Sequence, residues 1–186
     1  MVNDVISITE NTQTKHTSYG DTFMRLTIEL VPTTCWYSNV RSNVFPDTWD
    51  RLQRTTFAAA YFRCEVCGGR GSNHPVDCHE VWHYDDHKLI QRLERLEALC
   101  PKCHQVKHIG LAVTEGRSKE VIAWLAHING ITPAQALSYV HYVMSIHKIR
   151  SQFQWELDLQ ILSSQFSILL DKTGIEQGLN ARAQFR

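Results

Sequence analysis

Two C-x-x-C pairs, Cys64-Glu-Val-Cys67 and Cys100-Pro-Lys-Cys103, constrain this chain more than any other feature. Each pair offers two thiolates from one tight turn, and together they supply the four soft ligands that a tetrahedral zinc takes. Gly68 and Gly69 follow the first pair and permit the turn that aims backbone amides at the sulfurs. One ion shared by both pairs clamps the intervening stretch, about thirty residues, into a compact unit. Four buried unligated thiols, or a redox pair, are the rival readings, and two matched pairs argue against both. Cys35 and Cys78 stand outside the frame and read as core or strand thiols.

Composition is consistent with such a unit inside a globular chain. The 186 residues are 43% apolar and 20% charged, which suits one domain with a real core. Formal net charge is zero, so no global charge draws the chain to nucleic acid or a membrane surface, though a local basic groove escapes that count. No apolar run approaches a membrane span, and the N-terminal MVNDVISITE lacks the basic-then-apolar build of a signal peptide. The expected location is cytoplasmic, where thiols stay reduced and serve as metal ligands rather than disulfides. Of ten histidines, those at 74, 79, 83, 87, 104 and 108 crowd into the middle of the chain.

The elements divide as a strand and loop region over 1–45, a zinc core with its preceding helix over 46–112, a helical region over 113–175, and a tail over 176–186. MRLTIELV, residues 24–31, predicts a strand, with VISIT a weaker one and TENTQTKHTSYGD between them a loop. Pro46-Asp47 starts a helix whose inner face is Trp49, Leu52, Ala59 and Phe62. Ser118 opens a second helix that Asn129-Gly130 closes, and Thr132-Pro133-Ala134-Gln135 is a capping-box start for a third, running to Lys148. Further apolar residues run from Trp155 to Leu170.

A helix beginning at the second cysteine pair carries His104 and His108 on one face. Four residues separate their Cα atoms by about 6 Å along the axis, which suits joint coordination of one ion; solvated surface histidines are the alternative. The stretch His79-Glu80-Val81-Trp82-His83 matches H-E-x-x-H, in which two histidines one helical turn apart hold zinc beside a glutamate base. On an extended strand the same two histidines lie about 13 Å apart, too far for one ion. Pro75 before the segment, and Val76, Val81, Trp82 and Tyr84 within it, favour the strand over residues 76–82. His83 and His87 then stand outside the ligand set.

The stretch CEVCGGRG…HPVDCHEVWHYDD…LEALCPKCHQVKHIG resembles the zinc-stabilised HNH endonucleases. WYSNVRSNVFPDTWDRL, TFAAAYFRCEVCGGRG and the late QWELDL resemble a bacterial and phage group within that class. The likeness covers residues 30 to 160, with its motif core at 64 to 108. It implies an α+β fold with a zinc-bound ββα-metal, treble-clef-like core, flanking helices and an N-terminal strand region. By the same likeness, Cys64, Cys67, Cys100 and Cys103 match the structural zinc ligands. His79, His104 and His108 match ligands of a catalytic divalent ion such as Mg²⁺, Mn²⁺, Ni²⁺ or Zn²⁺.

Two positions depart from the family pattern. Glu80 stands where the general-base histidine does, and Arg95 stands for the middle asparagine. Glu80 is the candidate base, with Arg95 as a phosphate contact. A register slipped by one residue makes His79 the base, with Cys78 at the metal position. A third reading makes Glu80 only a ligand or hydrogen-bond partner. The implied activity is metal-dependent hydrolysis of phosphodiester bonds in DNA, with no membrane partner. The alternative is an inert zinc module that binds DNA or a protein, with a protein partner or a homodimer left open. The family needs a second strand just before Cys100, whereas Leu89, Leu93, Leu96 and Leu99 are spaced like a helix face. The expectation that reconciles them is a short helix near 86–92 followed by a strand to Leu99.

Overall fold

A computed structural model of the chain describes residues 17–19 and 22–166. Short strands β1 (Thr17–Tyr19) and β2 (Thr22–Met24) form an antiparallel ribbon. After a 3-10 turn at Thr33–Cys35 come α1 (Pro46–Ala59), β3 (Asp77–Asp85), β4 (Ile90–Leu99), α2 (Pro101–Lys107) and α3 (Ile109–Thr114). Then follow α4 (Ser118–Asn129), α5 (Pro133–Arg150), β5 (Glu156–Asp158) and α6 (Gln160–Phe166). The fold is α+β, with a three-stranded sheet in the order β3-β4-β5. β3 and β4 pair antiparallel, β5 lies parallel to β4, and β3 forms one edge.

The expected helix near 86–92 is absent; a turn and the start of β4 occupy those residues. Asp85 Oδ1 accepts from the amides of His87 (3.1 Å) and Lys88 (3.0 Å), and Leu89 takes a positive φ of 56°. The leucine spacing that suggested a helix has a different cause. A register shift between Val81 and Trp82 lets Arg95 oppose Val81 while Leu93 opposes Trp82, leaving Glu94 as an extra residue. Leu93 and Leu96, three apart, therefore reach the same core, whereas Leu99 belongs to the core on the α2 side.

The segment 24–31 is also corrected. Only Met24 ends a strand; Arg25 and Leu26 form a bend, and 27–31 belong to no helix or strand. Alternation survives, with Leu26 and Ile28 buried, but the backbone bonds go elsewhere. The Glu29 amide donates to Lys107 O (3.0 Å), and the Ile28 amide to Tyr139 Oη (3.3 Å). Residues 17–19, expected in a loop, form β1. The first helix stops at Ala59, since Tyr61 and Phe62 have positive φ values of 51° and 54° and Phe62 is exposed. VISIT and the tail over 176–186 lie outside the described residues.

The other two helix starts are as expected. Gly130 closes α4 in the left-handed region (φ 64°), and Thr132 and Gln135 form the reciprocal capping box of α5. Two cores result, one on each side of the sheet. Leu99, Val106, Ile109, Leu125 and Tyr139 close one with Met24, Leu26 and Ile28. Val40, Leu52, Leu93, Leu96, Leu159 and Leu162 close the other. Among the described residues no helix is long and apolar enough to cross a membrane.

Candidate metal centres

The first cluster joins the turn at Cys64 and Cys67, ahead of β3, to the start of α2. Cys64, Cys67, Cys100 and Cys103 bring four sulfurs within 4.8 Å of one another, and Cys67 Sγ lies 3.6 Å from Cys100 Sγ. Two thiolates about 2.3 Å from one tetrahedral zinc lie roughly 3.8 Å apart, so the donor set fits that ion. Gly68 supplies a φ of 73°, and the Gly69 amide donates to Cys67 Sγ (3.4 Å), as the expected turn requires. The Trp124 indole N–H donates to Cys103 Sγ (3.4 Å). Gly71 is fixed by close approach, because a Cβ there would meet His74 O at 2.2 Å. A hydrogen bond from Cys103 holds the Cys64 thiol down to about 4, and the same bond with burial pushes Cys103 far up. Burial pushes Cys100 up to about 11. Such crowding of buried sulfurs is relieved by a cation.

The second cluster brings together His79 of β3, His104 of α2 and His108 at its C-terminal end, one nitrogen from each lying within 4.8 Å of the others. His104 Nε2 and His108 Nε2 are 3.2 Å apart. Two nitrogens bound at about 2.0–2.1 Å to a tetrahedral ion sit roughly 3.4 Å apart, so this trio also fits a metal. Burial, then His79, lowers the His104 pKa; burial, then His79 and His104, lowers that of His108 to about 3. Both rings are therefore neutral at neutral pH, the form that ligates a metal. Asp77 Oδ2 lies 3.3 Å from His104 Nδ1, which leaves Nε2 facing His108. Residues 77–85 are a strand, so His83 cannot share an ion with His79; its Nδ1 lies 3.9 Å from Glu94.

Sequence reasoning missed Glu29 and Lys107. Glu29 Oε2 lies 3.0 Å from His79 Nε2, and its Oε1 accepts from Lys107 Nζ (2.5 Å). Lys107 is buried and also reaches Thr27 Oγ1 (2.9 Å) and Glu97 Oε2 (3.8 Å). Burial pushes the Glu29 carboxyl up, but Lys107 and His79 outweigh it and hold the group well below the usual carboxylate range. The available signal was Glu29 itself, an acid among the apolar residues of LTIELV.

His79 and Glu80 leave opposite faces of β3, yet both line one cavity of about 450 Å³ with His104 and His108. This is feasible because β3 is the sheet edge, and residues of 28–41 wrap past it. Glu80 Oε1 accepts from the Val40 amide (3.0 Å), and burial pushes its carboxyl up to about 7. Arg95 does not line the cavity; its Nη2 pairs with Glu97 Oε1 at 3.0 Å. Cys78 lies on the Glu80 side and lines the same cavity, but it is not part of the histidine cluster. Comparison with protein-family models, characterised proteins and solved structures yields no match.

Proposed function

We propose that this chain is a metal-dependent endonuclease of the HNH type that hydrolyses phosphodiester bonds, with DNA as its substrate. The convergence of His79, His104 and His108 from a strand and the helix after its hairpin carries the reading. A neighbouring tetracysteine cluster, suited to a structural Zn²⁺, fastens the start of that helix and supports it. The antiparallel hairpin followed by a helix supports the reading of a ββα-metal core.

In this reading His79, His104 and His108 hold a divalent ion such as Mg²⁺, Mn²⁺, Ni²⁺ or Zn²⁺. When bound, such an ion supplies Lewis-acid stabilisation of the scissile phosphate and the leaving oxygen. Glu80 acts as the general base: its carboxyl is buried, titrates near neutrality and is oriented by the Val40 amide. It takes the proton of a water that adds to phosphorus as the P–O bond to the leaving group breaks. His79 then serves as ligand, since the cluster includes it and excludes Cys78.

A second reading is favoured by a separate observation. Glu80 and Arg95, the two departures from the family pattern, both have structural partners, in Val40 and Glu97. A zinc module that binds DNA or a protein without cutting needs no more than that. Plasmid incubation with the purified, zinc-loaded protein and added Mg²⁺, Mn²⁺, Ni²⁺ or Zn²⁺ decides between them. Nicking or linearisation is expected; DNA retention without cleavage under every ion establishes the inert module.

A further inference from the structure

We infer that Glu29 is a positioning residue for His79, so that the segment 25–31 completes the divalent-ion site. The inference rests on the reading of the histidine trio as a metal site.

Three observations lead there. First, Glu29 Oε2 stands 3.0 Å from His79 Nε2, while the mutually close donor atoms comprise the three histidines alone. Glu29 therefore stands outside the mutually close donor set while contacting one of its members, and a carboxylate so placed fixes a ligating imidazole's tautomer and ring orientation. Asp77 has the same relation to His104, at 3.3 Å. Second, the carboxylate is itself held from two sides. Its own backbone amide donates to Lys107 O (3.0 Å), and its Oε1 accepts from Lys107 Nζ. A carboxylate anchored at both backbone and side chain loses little freedom when it orients a neighbour.

The third observation is electrostatic. Lys107 is buried, directly precedes His108 in sequence, and places an ammonium beside a trio meant to accept a dication. An uncompensated ammonium there repels the incoming ion through a weakly screening interior. Glu29 and Glu97 both face Lys107 and offset it. Loss of Glu29 therefore removes a ring-orienting hydrogen bond and leaves Lys107 with only the more distant Glu97, which Arg95 shares.

The test titrates Ni²⁺ into the zinc-loaded full chain by calorimetry, comparing the parent with Glu29→Gln, Glu29→Ala and Glu29→Asp, and with His108→Ala as the variant lacking a ligand. Removing a group that orients a metal ligand typically costs about 10–100-fold in metal affinity. Glu29→Ala is expected in that range. Glu29→Gln, which keeps an oxygen acceptor and loses the charge, is expected to lose less, and Glu29→Asp to recover part of the affinity. The Co²⁺ d–d spectrum at saturating metal should shift in Glu29→Ala, a change that looser folding alone does not cause. Structural zinc content and the melting curve report the fold; if Glu29→Ala fails to fold, the isosteric Glu29→Gln carries the test. Parent-like Ni²⁺ affinity with an unchanged Co²⁺ spectrum in the Glu29 variants overturns this inference alone. A parent chain that takes up no ion beyond its structural zinc overturns both it and the nuclease reading.

Discussion

Cys67 and Cys100 are 33 residues apart in the chain, and their sulfurs lie 3.6 Å apart in the fold. That closure holds the turn at Cys64 and Cys67 against the start of α2, the helix that carries His104. A bound zinc contributes folding free energy directly, because the unfolded chain has no preformed site. Cys64→Ala is therefore expected to lose the structural metal and unfold the region around β3, β4 and α2. Elemental analysis with far-ultraviolet circular dichroism checks this, and a folded wild-type protein free of zinc contradicts it.

His83→Ala should leave divalent-ion binding unchanged, while His108→Ala should abolish it or weaken it severely. The physical ground is the strand: residues four apart on β3 are separated by about 13 Å, beyond any shared ion. Calorimetric titration with Ni²⁺ reads both variants. The opposite ranking restores the helical two-histidine site that the letters HEVWH suggest.

The cysteine frame, the strand expected over 76–82 (found over 77–85) and the pairing of His104 with His108 were legible in the sequence because each depends on local spacing. Ligand identity and strand or helix periodicity are short-range signals. Leu93 and Leu96 were misleading for an equally physical reason: a bulge inserts one residue and mimics a helical interval. Residues 25–31 alternate correctly, yet alternation reports only which side chains turn inward, not what pairs with the segment. The partners of that segment, Asn129, Tyr139 and Lys107, come from about 80 to 110 positions later. No local pattern announces such contacts, and for that reason the contact of Glu29 with His79 was invisible.

Asn129 offers a way to test that long-range anchorage. Its Oδ1 accepts from the amides of Arg25 (2.7 Å) and Leu26 (3.0 Å), and its Nδ2 donates to Leu26 O (2.9 Å). Leu26 is fully buried, so Asn129→Ala leaves its backbone groups without partners at roughly 1–3 kcal/mol each. Denaturant unfolding should show the loss, and Asn129→Asp, which keeps the acceptor, should show a smaller one. Ni²⁺ affinity should fall with the anchor, because the same segment carries Glu29. Unchanged stability in Asn129→Ala contradicts the assignment.

The proposed base and the proposed ligands separate in their kinetic consequences. Glu80 lines the cavity from the opposite face of β3 to His79, so its side chain can be altered without touching the trio. A positioned general base is typically worth about 10² to 10⁴ in rate. Glu80→Gln retains an acceptor for the Val40 amide, and should keep the fold and nearly all metal affinity while losing that factor in plasmid cleavage. His104→Ala removes a donor that lies 3.2 Å from His108 Nε2, so it should lose metal affinity and cleavage together. Single-turnover cleavage at saturating metal, measured beside calorimetric titration, distinguishes the two patterns. If Glu80→Gln cuts DNA as fast as the parent, the carboxyl only tethers Val40, and His79 becomes the group to test as base.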